Sequence, residues 1–364
     1  MVKDAVPLDS IARALVVKLR HHGDVLLASP VLSVLKSRAP RMEVDALVYA
    51  DTAPMLEGHP ALSQLHVVDR GWRGAGALAR LGHERRLFSA LRARRYDLIV
   101  HLSEQPRGAW LARHLGARYG VAPRMADRGR FWERSFTHLY PLVGGGRRHQ
   151  VELNLDALRR IGVQPGLDER RVSFVPGAAA ETRVQELLAS HGLAKGGFVH
   201  VHPASRWRFK CWPVERNAEL LNRLGIDGHR IVVTAAPDET EAAFVGEILQ
   251  RTQAPVVNLA GQLSIKELGA LCAHASAFVG VDSMPMHLAS AMGVPVVALF
   301  GPSGDVEWGP WRGRFRVVTS AHACRPCGHD GCGGSKVSEC LSLLPTSAVH
   351  EAVRELLREA RPGS

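Results

Sequence analysis

The stretch Phe278–Pro302, FVGVDSMPMHLASAMGVPVVALFGP, leaves this chain few ways to fold. An apolar run, Phe278–Val281, meets two polar residues, Asp282 and Ser283. A short helical run follows, with Pro285 in its first turn and Gly293 just past its end. A second apolar run, Val294–Phe300, closes at Gly301-Pro302. Proline near the start and glycine past the end are helix boundary signals. Two β-rich runs around one helix make a βαβ unit, which demands parallel strands. Asp282 and Ser283 then fall at the carboxyl end of a strand and the amino end of a helix. Open α/β sheets bind ligands in that crevice, and the free N–H groups of a helix start favour phosphate. His287 sits one turn in. On pattern alone, a helix cap and a packed histidine explain these three residues equally well.

The same alternation runs through the rest. Strands are expected at Ala14–Lys18, Val44–Val48, Leu65–Val68, Leu98–Leu102 and Ala117–Val121. Helices are expected from Asp24 to about Ser37 and over 76–95, Ala109–Leu115 and Val151–Ile161. Residues 123–150 read as a long loop region. The alternation pauses over 163–180, where Pro165, Gly166, Pro176, Gly177 and three alanines read as a linker. It resumes with strands Phe198–His202, Ile231–Ala235 and Val256–Leu259, and helices Val214–Leu224, 239–250 and Ile265–His274. Residues 303–340 are loop-rich, and Ser347–Ala360 is a final amphipathic helix. A chain of 364 residues is long for one core. The expected class is α/β, with two doubly wound Rossmann-like domains facing a central cleft. Their bounds are 1–165 and 181–345, with a linker at 166–180. Residues 346–364 carry the last helix, which is free to pack back on the first domain.

The formal charge of +11 is localised. Residues 70–150 hold 17 arginines against five acidic residues and no lysine. Such a patch draws anionic partners. No stacking aromatics or recognition-helix pattern accompanies it, which argues against nucleic acid. No apolar run approaches the roughly 20 residues that span a bilayer. Asp4 and Asp9 interrupt the start, which lacks a signal-peptide layout, so a cytoplasmic place is expected. Cys324, Cys327, Cys332 and Cys340 cluster. In a cytosolic chain that suggests metal more than disulfide, and a structural zinc stands beside reduced thiols as a reading. Cys211 and Cys272 look like apolar fillers.

Two more segments carry chemistry. In KLRHHGDVLLASP, Asp24 follows a glycine at a strand-to-helix turn. A carboxylate there can take a proton from a sugar hydroxyl; it can equally cap the helix. In HPASRWRFKCWP, the Ser205 hydroxyl and the Lys210 charge suit a diphosphate. Ser103, Glu104 and Arg107 follow a strand of the first half on the same side, and His22 precedes Asp24. These four are candidates for acceptor binding.

These segments resemble a bacterial family, the ADP-heptose:lipopolysaccharide heptosyltransferases of glycosyltransferase family 9. Asp282, Ser283 and His287 match its G-x-D-[ST]-x-x-x-H signature, and Lys18–Pro30 its K-[ILT]-x-x-x-G-D-x-L-x-x-x-P signature. RFKCW, RFWERSFTHL and VELNLDALRRIG are closest to the heptosyltransferase III branch. The resemblance implies the GT-B fold and inverting transfer of a heptose from ADP-heptose to a heptose of the lipopolysaccharide inner core. It implies Asp24 as general base and no required cofactor. Ser205, Lys210, Asp282, Ser283 and His287 would hold the departing ADP. A carboxylate of 238–241, favoured as Glu239 over Glu241, would take the ribose, and Gly261 would let the adenine approach. Met284 departs from the small residue usual there. A lipid A-linked acceptor implies peripheral contact with the inner membrane. Another nucleotide-sugar transferase or an epimerase of the same fold is the alternative.

Overall fold

A computed structural model describes residues 4–74, 76–143 and 145–360. The chain divides between Val175 and Pro176 into two units. The first holds strands β1 Arg13–Val17, β2 Glu43–Tyr49, β3 Gln64–Val68, β4 Leu98–His101, β5 Tyr119–Pro123 and β6 His138–Tyr140. The second holds β7 Phe198–His202, β8 Arg230–Val233, β9 Val256–Asn258, β10 Ala277–Val281, β11 Val296–Leu299 and β12 Phe315–Val318. Each set forms one parallel sheet. The order is β3-β2-β1-β4-β5-β6 in the first and β9-β8-β7-β10-β11-β12 in the second. The two orders are the same doubly wound pattern, whose direction reverses between its first and fourth strands.

The central strands are buried on both faces, so they read as unbroken apolar runs. All five residues of β7 and of β10 are buried. They pair with Gly280 opposite His202. A Cβ on Gly280 would stand 2.6 Å from the Phe278 ring and 3.1 Å from the His202 carbonyl. Only glycine lets these strand ends run side by side. In the first unit, Val17 pairs with His101. Lys18 and Leu102, one residue past their pair, and Ala204 and Asp282, two residues past theirs, therefore emerge at the switch points.

Several expectations need correction. The helix from Asp24 to Ser37 is two helices, His22–Leu26 and Ser29–Arg38. Pro30 lacks an N–H and crowds the carbonyl four residues back, so the run breaks there. The loop region 123–150 contains β6 and a helix, Gly129–Glu133; the loop-rich 303–340 contains β12. Both missed strands are edge strands of three or four residues. The linker expected at 166–180 is not one throughout. Glu169 holds Arg38 at 2.6 Å, which fastens that end to the first unit, and the pairing lowers its carboxyl to about 2. The alanine triplet opens a helix, Ala178–Ser190, with Ala180 and Val184 in the second unit's core.

The last helix, Thr346–Ala360, belongs to the second unit and not to the first, and residues 361–364 lie outside the described ones. Val349, Val353 and Leu356 are fully buried against Leu220, Leu221 and Val297. Thr346 donates to Glu219 at 2.6 Å, and His350 meets Asp227 at 2.7 Å. Leu356→Ala is expected to cost about 2–5 kcal/mol of unfolding free energy. A urea melt with an unmoved midpoint would show the helix to be an appendage.

Candidate active site

The second unit gathers its polar residues at the carboxyl ends of β7 and β10. The single-turn helix Arg208–Lys210 delivers Lys210 beside Asp282. Lys210 Nζ donates to Asp282 Oδ2 at 2.5 Å. Asp282 is buried and Lys210 about one-fifth exposed. Ser283 occupies the cap position of the helix Met284–Ala291, yet makes no side-chain cap bond. Its hydroxyl instead donates to the Val281 carbonyl at 3.3 Å. The first-turn N–H groups are thus left without that cap. Ser205 Oγ accepts the Trp207 N–H at 3.3 Å, and His287 is buried on the helix's inner side. A cation, a hydroxyl and a helix start converge within one unit, which is the equipment for an anionic phosphate group.

In the first unit, the end of β1 carries Lys18. The residue is 4% exposed, and its ammonium donates to the Leu102 carbonyl at 3.0 Å and to Asn154 Oδ1 at 3.1 Å. Asn154 in turn donates to the Leu27 carbonyl at 3.0 Å. One lysine and one asparagine so join the ends of β1 and β4, the helix Gln150–Arg160 and the turn after Asp24. Burial pulls Lys18 down to about 8, opposed by the carboxylate of Asp24 and assisted by Arg20, with Glu104 also opposing. Asp24 is buried in the third helical position, and the cap is His21. Capping therefore does not explain it. Its one ion pair among the described residues is with Arg20, Nε to Oδ1 at 3.5 Å.

The four acceptor candidates sit unequally. Ser103 is buried and accepts the Leu19 N–H at 2.8 Å, so it ties two loops together. Glu104 is exposed. His22 Nε2 meets the Asp51 carbonyl at 2.8 Å. Arg107 is held by both oxygens of Glu84, at 2.7 and 2.5 Å. Sequence reasoning passed over Lys18 and Asn154. The signal for Lys18 was available: a lysine ending an otherwise apolar buried strand must be supplied with partners.

The profile of glycosyltransferase family 9 (heptosyltransferase) matches residues 84–337. Lipopolysaccharide heptosyltransferase 3 of Escherichia coli is 35% identical over 348 residues, which is 95% of this chain and 99% of that protein. The chain belongs to glycosyltransferase family 9. A family 9 glycosyltransferase from Veillonella parvula shares its fold, with a TM-score of 0.84 at 23% identity over 98% of this chain and 100% of that one. A heptosyltransferase of E. coli, WaaC, solved with ADP, superposes with a TM-score of 0.72 at 21% identity, over 94% of this chain and 99% of that one. Two doubly wound α/β units make the GT-B architecture that the resemblance implied.

Within this glycosyltransferase the structure separates two carboxylates that the sequence left together. Glu241 is buried and accepts the Ala236 N–H at 3.0 Å; burial raises its carboxyl. Glu239 is exposed in the first turn of the helix Glu239–Gln250, and Asp238 caps that helix by accepting from Thr240 and Glu241. Gly261 has φ +73°, so its turn alone requires glycine. Its N–H reaches the Ala235 carbonyl at 3.1 Å, beside the same helix start.

The metal reading of the cysteines is not supported. Among the described residues no three or more His, Cys, Asp or Glu side chains are placed to hold a metal ion. Cys324, Cys327, Cys332 and Cys340 are free thiols. Cys332 Sγ accepts the Glu339 N–H at 3.5 Å, Cys324 lies 3.7 Å from His322, and Cys340 is buried.

Thr234 Oγ1 stands 2.7 Å from His200 Nε2 and 2.8 Å from His202 Nδ1, linking β7 to the end of β8. Burial holds His200 and His101 at about 3 and His202 at about 4. A histidine in the unfolded chain protonates near pH 6.5. Between about pH 6.5 and 4 the unfolded chain binds protons that these folded histidines refuse, so stability falls as pH drops through that window. The melting temperature is expected to be lower at about pH 5 than at about pH 7. A flat or rising profile would mean these rings are not held neutral.

Proposed function

We propose that this enzyme is an inverting heptosyltransferase of the III branch, moving a heptose from ADP-heptose to a heptose of the lipopolysaccharide inner core. The identity of 35% to lipopolysaccharide heptosyltransferase 3 over 95% of the chain carries this reading. The Lys210–Asp282 pair supports it on chemical grounds, since it joins two signatures 72 residues apart at one helix start.

The roles follow from the chemistry of each position. Asp24 accepts the proton of the acceptor hydroxyl as that oxygen forms its bond to the anomeric carbon. The bond from that carbon to the diphosphate oxygen breaks on the opposite face, which inverts the centre. ADP leaves carrying the negative charge. Lys210, the Ser205 hydroxyl and the start of the helix Met284–Ala291 stabilise that charge as it develops. Asp282 holds the ammonium in place, and its remaining hydrogens are available to phosphate oxygens. Ser283 and His287 line the same helix start. Glu239 receives the ribose, because Glu241 is already bound to backbone, and Gly261 borders the adenine.

His22, Ser103, Glu104 and Arg107 are the acceptor side. Of these, Ser103 acts by shaping the loop. The acceptor is a lipid, so the enzyme works at the cytoplasmic face of the inner membrane by peripheral contact. Among the described residues no helix is long and apolar enough to cross a membrane.

The test is an assay of purified protein with ADP-heptose against a set of truncated core acceptors. Asp24→Asn is expected to lower the rate by at least about a hundredfold, given general-base contributions of 10²–10⁴, with ADP binding by calorimetry almost unchanged. A variant that keeps more than about a hundredth of the rate removes Asp24 as base. Lys210→Ala is expected to weaken ADP binding itself. An enzyme that turns over a different nucleotide sugar, and not ADP-heptose, defeats the proposal.

A further inference from the structure

Three helices cover one face of the first sheet: Ala77–Ala93, Pro106–Leu115 and Gly129–Glu133. Their inner sides supply Leu87, Leu91, Ala109, Leu111, Ala112 and Trp132 to a common core. They also touch one another. The Phe88 and Trp110 rings meet edge-on at 5.2 Å, and the Arg113 guanidinium lies 5.9 Å from the Phe131 ring centre. The three outer sides therefore form one continuous surface.

That surface has an unusual make-up. Leu78 is 87% exposed, Leu81 46% and Trp110 44%. Along the first helix, residues 78, 81, 85 and 92 recur at the spacing of one helical stripe, opposite buried Leu87 and Leu91. Two leucines therefore lead into Arg85 and Arg92 on the same line. Arg85, Arg92 and Arg113 are exposed and form no ion pair among the described residues. Exposed Arg38 and Arg358 are by contrast neutralised, by Glu169 and Glu351. The one acid of the first helix, Glu84, is itself taken by Arg107.

Bare arginines alone would suit any polyanion. Two highly exposed leucines set among them offer nothing to a nucleic-acid backbone, which wants hydrogen-bonding groups. They suit the boundary between headgroups and acyl chains, where tryptophan and snorkelling arginine are both at home.

We propose that this three-helix face docks on an anionic phospholipid bilayer, with Leu78, Leu81 and Trp110 entering the headgroup boundary and Arg85, Arg92 and Arg113 on lipid phosphates. The inference deepens the peripheral-contact reading above and rests on it for its purpose. It orients the first unit by its helical flank. The strand ends that carry Asp24 and Ser103 lie on another side of the sheet.

The test is co-sedimentation of the full chain with vesicles of phosphatidylcholine, alone or mixed with phosphatidylglycerol. Binding is expected to the mixed vesicles, to weaken with salt, and to be slight on the neutral ones. The Arg85→Gln/Arg92→Gln variant is expected to bind about fivefold less for each arginine removed. The Leu78→Gln/Leu81→Gln/Trp110→Gln variant is expected to bind at least about tenfold less. All five side chains are exposed, and an unchanged thermal melt verifies the fold of both variants.

Equal binding of both variants and the unsubstituted chain overturns the proposal. So does equal binding to neutral vesicles, or binding to duplex DNA with none to vesicles. The vesicle measurement uses no sugar, so it can fail while the transferase reading stands. Conversely, with a deacylated soluble acceptor both variants should keep the full transfer rate. No transfer there by the unsubstituted chain counts against the transferase reading alone.

Discussion

The second unit is organised around one short ion pair, Lys210 to Asp282 at 2.5 Å. Its existence depends on register. Gly280 lies opposite His202, so the chain leaves β7 and β10 within one residue of the same level. The loop after β7 can then return a lysine to the first residue past β10. Gly280 is part of the requirement, because any side chain there would collide with Phe278. Breaking a largely buried pair by removing one partner costs about 3–5 kcal/mol. The fold therefore has a stake in the arrangement apart from any chemistry it performs.

The first unit solves the same topological problem differently. Its switch point also receives a lysine, but Lys18 is sunk beneath the surface and bonded to a carbonyl and an amide. A buried ammonium without a direct carboxylate partner is costly, and its fall to about 8 expresses that cost. Asp24 and Glu104 both oppose the fall. The charge that each lysine faces is thus different in kind. Lys210 has its carboxylate in contact and hydrogens left to offer, whereas Lys18 is bonded within the protein and works on its surroundings by position.

Much of this was legible in the sequence because the central strands are buried on both faces and cannot hide their apolar runs. Phe198–His202 and Ile265–His274 have the ends expected of them. The edges were less legible. β6 and β12 have a neighbour on one side only, and a three-residue strand such as His138–Tyr140 shows no period. The signature residues Asp24, Ser205, Lys210 and Asp282 stood out by spacing. What spacing could not reveal was which polar groups are already bonded. Ser103 and Glu241 read as available and are committed to backbone N–H groups.

Arginine content illustrates the point in charge rather than hydrogen bonds. The window 70–150 reads as one basic patch, but several of its members are internal struts. Arg94 bridges Glu43 and Asp45, Arg148 binds Asp156 and Arg107 binds Glu84. Two of those three sets of carboxylates come from outside the window, so a local count could not have registered them. Arg107 is the instructive case. The bidentate grip of Glu84 is the geometry a carboxylate-bearing sugar would seek from a guanidinium. An acceptor that uses Arg107 must therefore exchange one carboxylate for another, which favours selectivity over affinity. Arginines that lack such a partner exert their field outward, and it is their placement, not the total, that decides what the surface can hold.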